Sequence, residues 1–83
     1  MLTREGNAQL ITKLINLYPG LTEDRVRMKV VEHVGPIEFD YVNYETGLKE
    51  AIENGDIIQY NFYNKVSGNE YSVFFPKGTR IKI

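Results

Sequence analysis

The sequence predicts a small α+β domain in which three helices are followed by a β-hairpin. Two observations carry this reading. Apolar residues recur at helical spacing in three stretches before residue 55, then alternate at strand spacing after Asp56. Pro19-Gly20, Gly35-Pro36 and Asn54-Gly55 separate those stretches, and Ser67-Gly68-Asn69 divides two runs rich in β-branched and aromatic residues.

The first helix is expected near 4–18, where Leu10, Ile11, Leu14, Ile15, Leu17 and Tyr18 form a wide apolar stripe. Pro19 cannot continue the hydrogen-bond ladder, and Gly20 tolerates the exit conformation. The second helix is expected near 22–34. Thr22 serves as its N-cap, Glu23 and Asp24 occupy the first turn where the helix dipole favours anions, and Leu21 and Val26 are spaced as a hydrophobic staple. Its buried face is Val26, Val30, Val31 and Val34. Val26 to Val30 also alternates like a strand, but the capping signals and the longer period favour helix. The third helix is expected near 41–54, capped by Asp40 or Asn43, with Tyr41, Tyr44, Leu48, Ala51 and Ile52 inward. Asn43, Thr46, Lys49, Glu50 and Glu53 fall on its outer face. Gly47 costs that helix about 1 kcal/mol against alanine. It marks either a close backbone approach or an ordinary surface position.

The hairpin is expected from 57 to 76, with a two-residue turn at Ser67-Gly68 or Gly68-Asn69. Either turn puts Tyr60 and Phe62 on one face with Tyr71, Val73 and Phe75, and this aromatic face is expected to pack on the helices. Gln59, Asn61, Tyr63, Ser72 and Phe74 then face outward, with Tyr63 and Phe74 able to lie side by side. Residues 77–83 form a short basic tail.

Eighty-three residues make one domain, and a chain of this size buries roughly 60–65% of its unfolded surface. Hydrophobic residues at 42% and charged ones at 25% are ordinary for a soluble globular protein. No apolar run is long enough to span a membrane, and the N-terminal residues lack a signal-peptide layout. Without cysteine there is no disulfide and no thiolate metal site, which makes a reducing cytoplasm the expected compartment. The lone His33 has no companion ligands, and no oriented nucleophile–base pair or phosphate-binding glycine loop is present. The expectation is a binding protein without cofactor or metal, not an enzyme.

The segment Leu48-Lys49-Glu50-Ala51-Ile52-Glu53-Asn54-Gly55-Asp56-Ile57-Ile58 resembles the end of the third helix in winged-helix (winged helix-turn-helix) domains, where a polar-Gly turn runs into the first wing strand. Tyr18-Pro19-Gly20-Leu21-Thr22 resembles the entry to their second helix, and Gly68 would sit at the wing tip. The resemblance covers nearly the whole chain as an order of elements and identifies no particular family. It implies a small regulatory protein that binds duplex DNA, the third helix in the major groove and the wing beside it. On that reading Asn43, Thr46 and Lys49 face the bases, and Arg27, Lys29, Lys65 and Arg80 contact phosphates. Arg25, Lys77 and Lys82 could widen that basic rim.

Charge runs the other way. The formal net charge is −1, and residues 32–56 hold seven acidic groups against a single lysine. DNA attraction scales with the Lys and Arg count, so an acidic reading helix weakens it. The alternative is protein recognition through Glu45, Glu50 and Glu53 with Tyr63 and Phe74, since large apolar residues mark interfaces. A homodimer would double the weak basic rim and so support the DNA reading, since many such proteins read paired half-sites, but the sequence shows no dimer seam.

Overall fold

A computed structural model describes residues 4–80, with side chains described from Asn7 onward. The chain runs α1 (Arg4–Leu17), β1 (Leu21–Thr22), α2 (Glu23–Val34), α3 (Tyr41–Glu53), β2 (Ile57–Tyr63) and β3 (Glu70–Pro76). The strands form an antiparallel sheet in the order β1-β3-β2. The fold is therefore a small α+β arrangement of three helices and a three-stranded sheet, with the expected elements in the expected order. Lys82 and the last residues of the basic tail lie outside the described residues.

Each helix is set by local chemistry. The Asp40 carboxylate accepts from the Asn43 backbone N–H at 3.1 Å, which fixes Asp40 as the cap of α3 and satisfies one of its orphan donors. Thr22 stands at the expected end of α2. It occupies the N-cap position of α2 in extended geometry, but its side chain makes no capping bond. Leu21 and Thr22 instead add a short strand to the sheet, opposite Phe74 and Val73, and the Gly20 N–H donates to the Phe74 carbonyl at 2.8 Å. Gly20 enters this strand with a φ of +86°, a conformation most side chains avoid.

The core gathers Leu10, Ile11, Leu14 and Ile15 of α1, Val26 and Val30 of α2, and Tyr44, Leu48 and Ala51 of α3 over the base of the hairpin. Leu17 and Tyr18, expected in the buried stripe, are exposed. They fall in the last turn of α1 and just beyond it. Tyr18 instead lies under the Lys29 ammonium, 4.5 Å from its ring centre. Tyr41, expected to point inward, is half exposed at the start of α3.

The hairpin is the main correction. Its pairing, Gln59 opposite Phe74 and Tyr60 opposite Val73, gives the expected division of side chains between faces. The face that meets the helices is the other one. Phe74 (1% exposed) and Ile57 (2%) enter the core, so Phe74 is neither an outer-face residue nor a neighbour of Tyr63, which stands opposite Glu70 near the tip. Tyr60, Phe62, Tyr71 and Phe75 lie on the outer face and are only partly covered. There they shield one another, with ring centres 4.6 Å apart for Tyr60–Phe62 and 5.5 Å for Phe62–Tyr71. The reason is length. The helices cover only the base of the hairpin, and further out the helix-facing row turns polar at Gln59, Asn61 and Ser72.

The hairpin closes through a six-residue loop, 64–69, in place of the expected two-residue turn. The Asn64 side chain organises it, accepting from the Val66 and Ser67 backbone N–H groups at 2.9 and 3.2 Å. An even number of loop residues preserves the facing, which is why the expected division of side chains survived the wrong turn.

Candidate functional site

A concave surface lies where α3 and the start of α2 face the inner row of the hairpin. Its deeper part, about 230 Å³, is floored by Tyr44, Leu48, Ile52 and Phe74 and rimmed by Tyr41, Glu45, Lys49, Glu23, Gln59 and Ser72. A shallower continuation shares Glu23, Gln59 and Ser72 and adds Asp24, Asn61 and Glu70. Local chemistry builds both walls. Tyr41, Glu45 and Lys49 recur at one helical turn along α3, and Gln59, Asn61 and Ser72 form a hydrogen-bonded polar patch on the hairpin. The Gln59 amide donates to the Ser72 hydroxyl at 3.0 Å, which donates to Asn61 Oδ1 at 2.6 Å.

The groove is acidic. Four carboxylates line it, Glu23, Asp24, Glu45 and Glu70, against the single ammonium of Lys49. Arg27 is engaged with two of these carboxylates within α2, 3.2 Å from Asp24 and 3.7 Å from Glu23. Lys29 stands over Tyr18 and 4.0 Å from Glu32. Exposed pairs of this kind are weak, about 0–1 kcal/mol, but they orient both cations along their own helix.

Tyr44 ties the groove to the core. Its hydroxyl donates to Glu23 Oε1 at 3.0 Å, joining α3 to the start of α2. Burial, then the negative charge of Glu23 and the hydrogen bond to it, hold the hydroxyl protonated far above the ordinary tyrosine range. The neutral phenol is thus favoured in the fold, whereas the unfolded chain ionises it near about 10. The contribution to stability is complete below about pH 10 and is lost as pH rises beyond that, by up to ~1.4 kcal/mol per pH unit. Tyr44→Phe should flatten the alkaline fall of the urea midpoint between about pH 9 and 11. Curves of equal slope for both proteins would show that Tyr44 ionises as freely folded as unfolded.

The residues expected to bind DNA line different hollows or stand exposed outside them. Lys49 reaches the groove, and it also shares a shallow strip on α3 with Thr46, Glu50 and Glu53. Asn43 is half buried in a different hollow, with Asn7, His33, Val34 and Phe39. Lys65 is exposed in the hairpin loop and Arg80 beyond β3. Of the residues expected for protein recognition, Glu45 is exposed in the groove, Glu50 and Glu53 lie on the neighbouring strip, Tyr63 is exposed, and Phe74 is core. Sequence reasoning missed Glu23, Gln59 and Ser72 as groove residues. The alternation of β2 puts Gln59 and Asn61 on one face, but only the packing shows that this face turns toward α3.

Among the described residues no group of three or more His, Asp or Glu side chains is arranged to hold a metal ion, and no helix is long and apolar enough to cross a membrane. A scan against protein-family models and searches of curated proteins and solved structures match nothing to this chain.

Proposed function

We propose that this chain is a winged-helix module that recognises protein, holding a basic segment of its partner in the groove between α3 and the hairpin. The observation that carries this is the excess of carboxylates in that groove, four against Lys49 and the Arg27 that pairs with Glu23 and Asp24. In a DNA-binding winged helix the same surface would lie against phosphates, each contact needing a Lys or Arg. Here Glu23, Asp24, Glu45 and Glu70 would repel that backbone and attract lysine or arginine. Tyr41 and the apolar floor give a partner side chain something to bury against, as a recognition groove requires.

Duplex DNA is the second reading, favoured by the helix-strand-helix-helix-hairpin order and by the exposed Lys65, Lys77 and Arg80. Glu45→Lys separates the two, because its effects have opposite signs. The test is an amide NMR titration with a short Lys/Arg-Leu peptide and, separately, a mixed-sequence duplex, at about 50 and 200 mM salt. Protein recognition predicts peptide-induced shifts at Glu45, Lys49, Gln59 and Ser72, and about a tenfold loss of peptide affinity in Glu45→Lys. DNA shifts on α3 and the 64–69 loop that fade with salt, grow stronger in Glu45→Lys and weaken in Lys65→Ala or Arg80→Ala would overturn it.

A further inference from the structure

We propose that β2 is a self-association edge, pairing antiparallel with β2 of a second copy to make one continuous six-stranded sheet. The two edges of this sheet differ. β1, at one edge, is only two residues long, follows Pro19 and leads straight into α2, so it offers little to pair with. β2, at the other, is seven residues in unbroken register with β3, and no strand lies beyond it among the described residues. Its sequence, Ile-Ile-Gln-Tyr-Asn-Phe-Tyr, contains no charge, proline or glycine. Charge, proline and bulges are among the devices by which edge strands avoid pairing, and β2 carries none of these three.

The backbone direction follows from the hydrogen bonds. The Phe74 carbonyl accepts from Gly20 on the β1 side, so Phe74 turns its main-chain groups away from β2. Gln59, directly opposite, therefore turns its own N–H and C=O to the open edge, as do Ile57, Asn61 and Tyr63 by alternation. The Asn64 N–H, donating inward to Asn69, has the opposite sense that this alternation demands.

A two-fold axis at Tyr60 brings all four outward-facing residues into register: Ile57 with the second copy's Tyr63, and Gln59 with the second copy's Asn61. Each side-chain pair is then compatible. Ile58 meets Phe62 of the second copy, Tyr60 meets its own equivalent, and Gln59 and Asn61 meet amide to amide. Just past the paired stretch, the register sets exposed Asp56 of each copy opposite exposed Asn64 of the other, so no like charges meet at either end. The partly covered aromatic faces of the two hairpins become one surface. This inference does not depend on what the α3 groove binds.

The natural chain has no cysteine, so single-cysteine variants report the register. Opposed residues in a non-hydrogen-bonded pair lie about 4.5 Å apart at Cα, within disulfide reach. Two Tyr60→Cys chains meet that condition. Two Phe62→Cys chains are offset by four residues, about 13 Å, and do not. Sedimentation equilibrium of the wild-type chain should show the mass rising toward two chains between about 10 and 500 µM, as a small interface predicts. Tyr60→Cys should form the oxidised dimer at least about tenfold faster than Phe62→Cys, the latter's centres lying outside bonding distance. A one-chain mass throughout, species larger than a dimer, or equal bridging at the two positions would overturn the proposal.

Discussion

Phe74→Ala should cost about 3–5 kcal/mol, the range for emptying a buried phenylalanine site. A chain of 83 residues has only roughly 4–12 kcal/mol of stability in total. The variant should therefore be close to unfolding, with a Tm lower by about 15 °C or more. The position explains the size of the effect. Phe74 sits on the central strand, is 1% exposed, and lies where β1, the base of β2 and the helices converge. A cavity there has walls on three elements and cannot collapse from one side. Tyr63→Ala, 61% exposed on the same row nearer the loop, should change stability by less than about 0.5 kcal/mol. Urea denaturation of the two variants decides the facing of the hairpin. If Tyr63→Ala cost as much as Phe74→Ala, the row would not be divided into a buried base and a solvated tip.

That contrast also locates where sequence reading stopped. The three helices and the hairpin were legible because their signals are local: Asp40 caps α3, Pro19-Gly20 ends α1, and the period changes after Asp56. The division of side chains between hairpin faces was legible too, since parity needs only an even loop. Which face turns inward was not legible, because alternation is symmetric. Aromatic content then favours the wrong side. A row of Tyr60, Phe62, Tyr71 and Phe75 reads as core, although such rings can bury one another without a helix above them. β1 escaped notice because two residues carry no period, and Thr22, at the N-cap of α2 as expected, gave no sign that it also pairs with β3. The groove was missed for the same reason as the facing. Glu23, Glu45, Gln59 and Ser72 come from four separate elements, and only the packing of α3 against the hairpin base unites them.

Gly47 is a position whose two sequence readings the structure separates. A Cβ built there would lie 2.8 Å from Asn7 Cβ, 3.0 Å from the Ala8 backbone nitrogen and 3.1 Å from the Asn7 carbonyl carbon. None of these atoms belongs to a flexible side-chain end, so relief requires α1 itself to move. Alanine gains about 1 kcal/mol of helix propensity, but overpacking costs typically 1–3 kcal/mol and more where backbone must shift. Gly47→Ala should therefore be destabilising by about 2 kcal/mol, where propensity alone predicts the opposite sign. Thr46→Ala, the neighbouring half-exposed position, should stay within about 0.5 kcal/mol. Thermal melts of the pair test this, and a Gly47→Ala protein more stable than wild type would mean that α1 does not rest on α3 at this point. The same contact bears on recognition, because α3 carries Tyr41, Glu45 and Lys49 to the groove. A forced shift of α1 against α3 should disturb the amide resonances of these residues even in the folded population, while leaving the exposed 64–69 loop as it was.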